Sequence, residues 1–512
     1  MGLERLMTMQ QRQRKLRRRT QARDGSIATV PQRMDTHSFC LEDDHLDGSK
    51  RSRYSGPNLP EEIWCHIHSL LPLQDAARSA CASRTFLRSW RSYPKLTLCK
   101  KTMCLKRNAR GREEFTRCFT TRVDHILKNH SGIGVKTLEL EIPDYCNVNA
   151  CHINRWLQIA IAPGIEEVTL FVPSNSKTEY NFPCSLLFDG RGNSIRYICL
   201  MDCAIRPSVG FDCLRSLTKL YLYEVRITVD ELGCLISKSF ALEQLRLGAC
   251  CELTCLKIPF CLERLSCLSV FDCYMLLVIE SKAPNLSTFK FSGHPVHLSL
   301  GESSQMKYLT IGFSGKPNCV NYAITKLPST VPNLETLIIT SASEMVNTPM
   351  VADKFLSLKY LNIFLGCDFE AFSPAYDYLS LVCQDDMKHD SVFGDASHLR
   401  QISGHKHDRL KKVQINGFCS AKSMVELTCH ILENATSLET LTIDTIYDWE
   451  ADGSISRCCV RKYNDTSRVM VLEAHKALTA FKRYILGRVP STVKLNVGEL
   501  CSRCHAIDVK LS

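Results

Sequence analysis

At 512 residues, with 45% hydrophobic and 23% charged side chains, the chain has the composition of an ordinary folded protein, which excludes a largely disordered one. No apolar run reaches the ~18 residues a membrane helix requires, and the most apolar stretch, Cys267 to Ile279, is interrupted by Asp272. A chain this long outgrows a single compact core, so a small module joined to a larger body, or a repeat array, is expected.

The net charge of +11 is unevenly placed. Residues 1–23 hold eight Lys/Arg against the single acid Glu4, and the remainder is close to balanced. This front block has no apolar core of the kind a secretory signal needs, and Gly2 lacks the Ser or Thr at position 6 that myristoylation prefers. It reads as a basic tail, either a solvated extension or a nuclear-import or weak RNA-contact element. The 28 cysteines are scattered through a long chain rather than grouped in a short one. That favours a reducing nuclear or cytoplasmic setting, with Cys serving as a small core residue. On the same ground, the acceptor triplets at Asn129, Asn285, Asn434 and Asn464 are expected to carry no glycan.

Residues 1–56 are rich in Arg, Gln, Ser and Asp and hold too few large apolar side chains to offset the entropy of ordering, so disorder is expected there. Gly56-Pro57-Asn58 is turn chemistry. Pro60-Glu61-Glu62 then suits the first turn of a helix, where proline needs no donor and carboxylates meet the positive end of the dipole. Ile63, Ile67, Leu70 and Leu71 recur at helical spacing, and after Pro72 so do Leu73, Ala76, Ala77, Ala80 and Cys81. Phe86, Leu87 and Trp90 add a third apolar patch. Three short amphipathic helices over 57–95 expose more apolar surface than they can bury among themselves, so this module needs a partner.

These residues resemble the F-box, the helical motif by which substrate receptors dock onto the Skp-type adaptor of a cullin-RING ubiquitin ligase. The resemblance rests on Leu59-Pro60, Ile63, Ile67, Leu71-Pro72-Leu73, Asp75 and Ser83-Arg84. It implies adaptor contacts from Leu59, Pro60, Ile63, Ile67, Leu70, Leu71, Pro72, Leu73, Phe86 and Trp90. Phe86 stands where a Trp is usual, and Ala76 and Ala77 are smaller than the common Leu or Val.

Residues 96–134 read as a connector, with the strand-like Lys95-Leu96-Thr97-Leu98-Cys99-Lys100-Lys101 and a helix over Arg112 to Asn129. From 135 to 445 a triplet repeats: apolar, two residues, apolar, one residue, apolar. It runs from Val135-Leu138-Leu140 through Leu217-Leu220-Leu222 and Leu242-Leu245-Leu247 to Leu438-Leu441-Ile443, in twelve copies. The first ten succeed one another at steps of 20 to 30 residues, which is the leucine-rich-repeat period. The last two apolar residues of a triplet lie on the same side of a short strand, and stacked copies make one continuous core. The fold class is therefore α/β: a three-helix F-box and then a leucine-rich-repeat solenoid.

A 52-residue step from Leu358 to Leu410 breaks the rhythm. Its middle, Ser373 to Ser403, is rich in Asp and carries His389 and His398; a degenerate repeat with a loop and a ligand-touching insertion are both open readings. Leu410 to Asp444 resembles the terminal repeat segment of plant F-box proteins of the FBD and related LRR type. Within it Met424, Leu427, Thr428, Ile431 and Leu432 make a helical stripe. Residues 446–512 are expected to cap the stack through a helix over Arg468 to Leu486, with Val471, Ala474, His475, Leu478, Phe481 and Ile485 on one face.

Phosphate-loop, nucleophile-elbow, zinc-protease and kinase spellings are all missing from the sequence, so no catalytic residue, cofactor or metal ligand is assigned. Cys501-Ser502-Arg503-Cys504-His505 matches the spelling of c-type haem attachment, or of half a zinc site with Cys458 and Cys459, but cysteines this common pair by chance. The combined reading is a non-enzymatic receptor. The F-box would dock to a Skp-type adaptor and through it a cullin, and the strand face would hold an unidentified protein substrate near a ubiquitin-charged enzyme, so that catalysis is by proximity. Outward-facing strand residues Lys219, Tyr221, Tyr223, Glu243, Gln244 and Arg246 are the substrate-side candidates. The alternatives are an LRR scaffold with no ligase role, or a nucleic-acid binder led by the basic tail. No membrane contact is expected.

Overall fold

The computed structural model describes residues 60–103, 105, 111–131, 134–173, 179–188, 190–207, 213–301, 305–314, 318–341, 355, 357–365, 391–393, 399, 406–445 and 466–498. The basic tail, Leu59, most of the Asp-rich 373–403 segment, Cys458, Cys459 and the Cys501–His505 spelling lie outside the described residues.

Three helices open the described chain: α1 (Glu61–Ser69), α2 (Leu73–Ala82) and α3 (Arg84–Trp90). Pro60 precedes α1 with extended ψ, and Glu61 and Glu62 occupy its first turn. Pro72 plays the same part for α2. A proline cannot continue a helix but is well suited to begin one, which is why α1 and α2 are joined almost without a connector.

Strand β1 (Lys95–Leu98) leads through α4 (Arg112–Asn129) to β2 (Thr137–Glu141), and α5 (Ala150–Ala160) leads to β3 (Glu167–Phe171). Then come β4 (Asn181–Phe182), β5 (Tyr197–Met201), β6 (Ala204–Ile205), β7 (Lys219–Tyr223), α6 (Val229–Ile236) and β8 (Gln244–Gly248). The middle of the chain is all strand: β9 (Cys255–Ile258), β10 (Cys267–Phe271), β11 (Val278–Ser281), β12 (Thr288–Gly293), β13 (His297–Ser299) and β14 (Tyr308–Phe313). Helix α7 (Cys319–Thr330) precedes β15 (Thr336–Ser341) and β16 (Tyr360–Leu365). The described part closes with β17 (Lys412–Asn416), α8 (Lys422–Asn434), β18 (Thr440–Asp444), α9 (Thr466–Tyr484) and β19 (Lys494–Val497).

Fourteen strands form one parallel sheet in the order β1-β2-β3-β5-β7-β8-β10-β12-β14-β15-β16-β17-β18-β19. The twelve apolar triplets supply β2 to β18 of this sheet, and their last two residues stack in register: Leu220 beside Leu245, Leu222 beside Leu247. Those side chains are fully buried, while the alternate positions face the other way. Behind the sheet, six connections carry an α-helix among the described residues, and the middle ones run through the three-stranded parallel sheet β13-β11-β9. Turns between sheet strands are tightened by Asp202, Glu224, Ala249 and Asp272, all at φ between 51° and 58°. Their left-handed backbone costs about 1–2 kcal/mol each for a non-glycine residue. Each N–H is, however, spent on the next strand, as in Glu224 to the Gly248 carbonyl at 2.7 Å.

Two expectations about extent are corrected. The supposed connector is the first repeat, because β1 pairs with β2 and puts Tyr93, Leu96 and Leu98 in the register of Val135, Leu138 and Leu140. The C-terminal cap likewise contains a strand, since β19 pairs with β18 and extends the sheet beyond residue 445. The expected terminal helix is α9, where Ala474, Ala477, Ala480 and Phe481 are buried; alanines let it approach the stack closely.

The core is continuous from Leu73 and Trp90 in the helical module to Val493 beside β19. The module is therefore seated on the solenoid, where the sequence alone left it without an intramolecular partner. Buried cysteines contribute where the repeat pattern calls for a small side chain after the strand: Cys203, Cys250 and Cys273 come just after β5, β8 and β10. The Cys250 thiol points at the Leu222 and Gly248 carbonyls at 3.7 and 3.6 Å.

Candidate docking and recognition surfaces

The helical module has two faces of opposite character. Its inner face is an aromatic cluster around His68, which is fully buried, with its Nε2 2.9 Å from the Ala76 carbonyl oxygen. Phe86, Tyr93 and Trp90 surround that ring at centroid distances of 5.1, 5.6 and 6.4 Å. Phe86 also meets Trp64 edge-on at 5.5 Å. The Tyr93 hydroxyl donates to the Leu71 carbonyl at 2.6 Å, and Gln74 Nε2 donates to the Lys101 carbonyl at 2.8 Å. These bonds cross from the module to the first repeat.

The outer face is apolar and uncovered. Ile63, Leu70 and Leu87 are 45%, 71% and 43% exposed. Of the residues singled out for adaptor contact, Pro60, Ile63, Leu70 and Pro72 are exposed, and Ile67, Leu71 and Phe86 are half-buried. Leu73 and Trp90 are buried in the chain's own core, so they support this face and do not form it. Leu87 belongs with the exposed residues and was legible as part of the Phe86–Trp90 patch.

On the concave side of the sheet, the alternate strand residues form columns running from repeat to repeat. One column reads Tyr197, Lys219, Gln244, Cys267, Thr288 and Tyr308; the next reads Cys199, Tyr221, Arg246, Ser269, Lys290 and Thr310. Lys219, Tyr221, Gln244 and Arg246 come together as expected. The Tyr221 hydroxyl donates to Gln244 Oε1 at 2.7 Å, and the Arg246 guanidinium lies 4.5 Å from the centre of the Tyr221 ring. Glu243 sits on the turn leading into β8, at the rim.

Tyr223 departs from expectation: at 9% exposure it is part of the floor. The cause is Gly248, whose missing side chain leaves the space that the Tyr223 ring fills; a Cβ there would meet Tyr223 Cδ1 at 2.6 Å. Further along, Lys290 lies over Tyr308 and Lys412 over Tyr360, at 5.4 and 5.6 Å from the ring centres. These pairs were not anticipated, although the same strand offset that marks Lys219 and Arg246 marks them too.

Burial pushes the thiols of Cys146, Cys184 and Cys419 up to about 11, so they are held as neutral core groups. Burial, aided by the nearby Asp202 carboxylate, raises Glu224 to about 7. Among the described residues, no group of three His, Cys, Asp or Glu is placed to hold a metal ion, and no helix is long and apolar enough to cross a membrane.

Two family models match the chain at these surfaces. The F-box domain model matches residues 57–98, which spans the helical module and β1. The model of the At1g61320/AtMIF1 LRR domain matches residues 126–502. The chain belongs to the plant-type F-box/LRR proteins. A curated relative, the F-box/LRR-repeat protein At3g58940 of Arabidopsis thaliana, is 27% identical to this F-box/LRR protein over 124 residues. That match covers 24% of this chain and 20% of the relative's length. Among solved structures, an internalin from Listeria monocytogenes is 12% identical, with 64% of this chain and 89% of that one covered and a TM-score of 0.26. An LRR protein from Leptospira interrogans is 13% identical, covering 62% and 86%, with a TM-score of 0.20. Scores this low carry no argument beyond the solenoid already described.

Proposed function

We propose that this F-box/LRR protein is a substrate-recognition subunit of an SCF-type ubiquitin ligase. The F-box takes a Skp-type adaptor, which links it to a cullin, and the concave strand face takes a protein substrate. The observation that carries the reading is the exposed patch of Ile63, Leu70 and Leu87 on a module whose opposite face is already anchored to the solenoid. An apolar surface left over after intramolecular packing fits a protein partner, and the matched family is one whose F-boxes dock on such adaptors. The chain itself supplies no acid, base or nucleophile in this scheme; it contributes proximity. A nuclear or cytoplasmic setting suits the reading, since none of the described cysteines is in a disulfide.

The test is capture of a purified Skp-type adaptor by the full chain. The double variant Ile63→Lys, Leu70→Lys places two charges on exposed positions, so the fold survives and capture is lost. Capture that is absent from the unsubstituted chain, or unaffected by the two lysines, would overturn the proposal and leave a repeat scaffold outside the ligase.

A further inference from the structure

The charges on the sheet divide into two populations. On the turns leading into the strands they neutralise one another along the rim: Lys136 with Glu166 at 2.8 Å, Lys359 with Glu335 at 2.6 Å, and Lys411 with Glu439 at 2.6 Å. In the strand columns they do not. From β5 to β19 the two outer columns contain Lys219, Arg246, Lys290, Lys412 and Lys494 and no acidic residue. Among the described residues, none of these five cations is in an ion pair; three of them rest on tyrosine rings. The acids at the same strand parity are Glu139 and Glu141 in β2, Glu167 in β3, and the buried Asp444 at the end of β18, outside the two columns.

A cation held over an aromatic ring is positioned without being neutralised, so its charge still faces the groove. Five cations on one side of a sheet, three of them held in this way, attract an anion and repel basic partners. Two classes of anionic polymer carry such charge, and the side chains of the columns favour a peptide. A single-stranded nucleic acid needs open aromatic faces on which to stack its bases. Here Arg246, Lys290 and Lys412 lie over the rings of Tyr221, Tyr308 and Tyr360. Thr288, Thr310, Thr336, Asn362, Thr440 and Thr442 fill the columns between the cations with side-chain donors suited to a peptide backbone. The ten strands from β7 to β19, at ~4.8 Å apart, span roughly 43 Å, the length of an extended peptide of about 13 residues.

We propose that the concave columns from β7 to β19 bind an acidic, carboxylate-rich peptide segment, held by Lys219, Arg246, Lys290, Lys412 and Lys494. This rests on the receptor reading above only in that such a segment would belong to the substrate; the site is defined without it.

The test uses the full chain and a fluorescein-labelled peptide of about 13 residues built of Glu-Ser repeats, matched to the groove length. Fluorescence anisotropy is compared with a Lys-Ser peptide and an oligouridylate of similar length. The acidic peptide should bind and weaken as salt rises, and the Lys-Ser peptide should not bind. Lys412→Glu with Lys494→Glu, both at exposed positions, should reduce acidic-peptide affinity by about tenfold, whereas the rim change Lys136→Glu should leave it nearly intact. Equal binding of acidic and basic peptides, or equal loss from rim and column variants, would refute the proposal. Tighter binding of the oligouridylate would make the face a nucleic-acid surface instead. Adaptor capture, read in parallel on the same variants, separates the two proposals: peptide binding without capture removes the ligase reading alone, and capture without peptide binding removes this one alone.

Discussion

Tyr93 and Leu71 join the two parts of the molecule. The phenol of Tyr93, the first core residue of the solenoid, donates to the Leu71 carbonyl in the short link between α1 and α2 at 2.6 Å. Burial pushes the Tyr93 phenol up, which favours its protonated, donating form. The link leaves the module's inner face fixed and its outer face open.

Replacing Tyr93 by Phe keeps the ring against Trp90 and His68 and removes only that bond. The half-buried Leu71 carbonyl then lacks its donor, at a cost of about 1–2 kcal/mol. Hydrogen exchange should quicken in α1 to α3 while the strands from β5 onward keep their protection, since solenoid repeats transmit stability mainly to their neighbours. Uniform loss of protection along the chain would contradict this local role.

Gly248→Ala tests the floor of the concave face. The new Cβ would stand 2.6 Å from the Tyr223 ring, and backbone conformation is not the obstacle at this position. Tyr223 must move aside, with an expected loss of about 1–3 kcal/mol in urea unfolding. Combining the change with Tyr223→Ala should recover much of it, because the small side chain vacates the contested space. An additive double variant would show that the clash is not the cause.

Glu224 makes a pH prediction. Burial raises its folded-state value to about 7, above the ordinary carboxylate. Below the unfolded value both states carry the proton, and no penalty is felt. As pH rises toward 7 the unfolded chain releases its proton first, so the stability associated with protonated Glu224 is lost over that interval. Glu224→Gln should match the parent near pH 4 and exceed it by about 1–2 kcal/mol at pH 8, a figure reduced for the partial exposure of the group. A difference between the two midpoints that does not change with pH would argue against a raised carboxyl.

How much of this was readable in advance depends on what kind of signal each feature leaves. The twelve triplets were legible because the period-2 alternation of a strand writes its buried face directly into the residue order. The end repeats were missed for a local reason. At β1 an aromatic, Tyr93, takes the place of the aliphatic residue that opens a triplet, and at β19 the corresponding position is Thr492. The all-strand return of the middle repeats was also hidden, because four-residue segments such as Cys255–Ile258 become strands only by pairing with one another.

For the surfaces, the amphipathic spacing from Ile63 to Trp90 announced that apolar area needed a partner, but not which part of it the chain would cover itself. Only packing decided that Leu73 and Trp90 turn inward while Ile63, Leu70 and Leu87 stay in solvent. The same holds on the sheet. Strand alternation by itself assigned Lys219, Tyr221, Gln244 and Arg246 to one face. Register then decided that Arg246 would lie over Tyr221 and that Gly248 would make room for Tyr223. Alternation is a property of one strand, whereas a contact between neighbouring repeats depends on residues more than twenty positions apart, whose alignment exists only once the solenoid has closed.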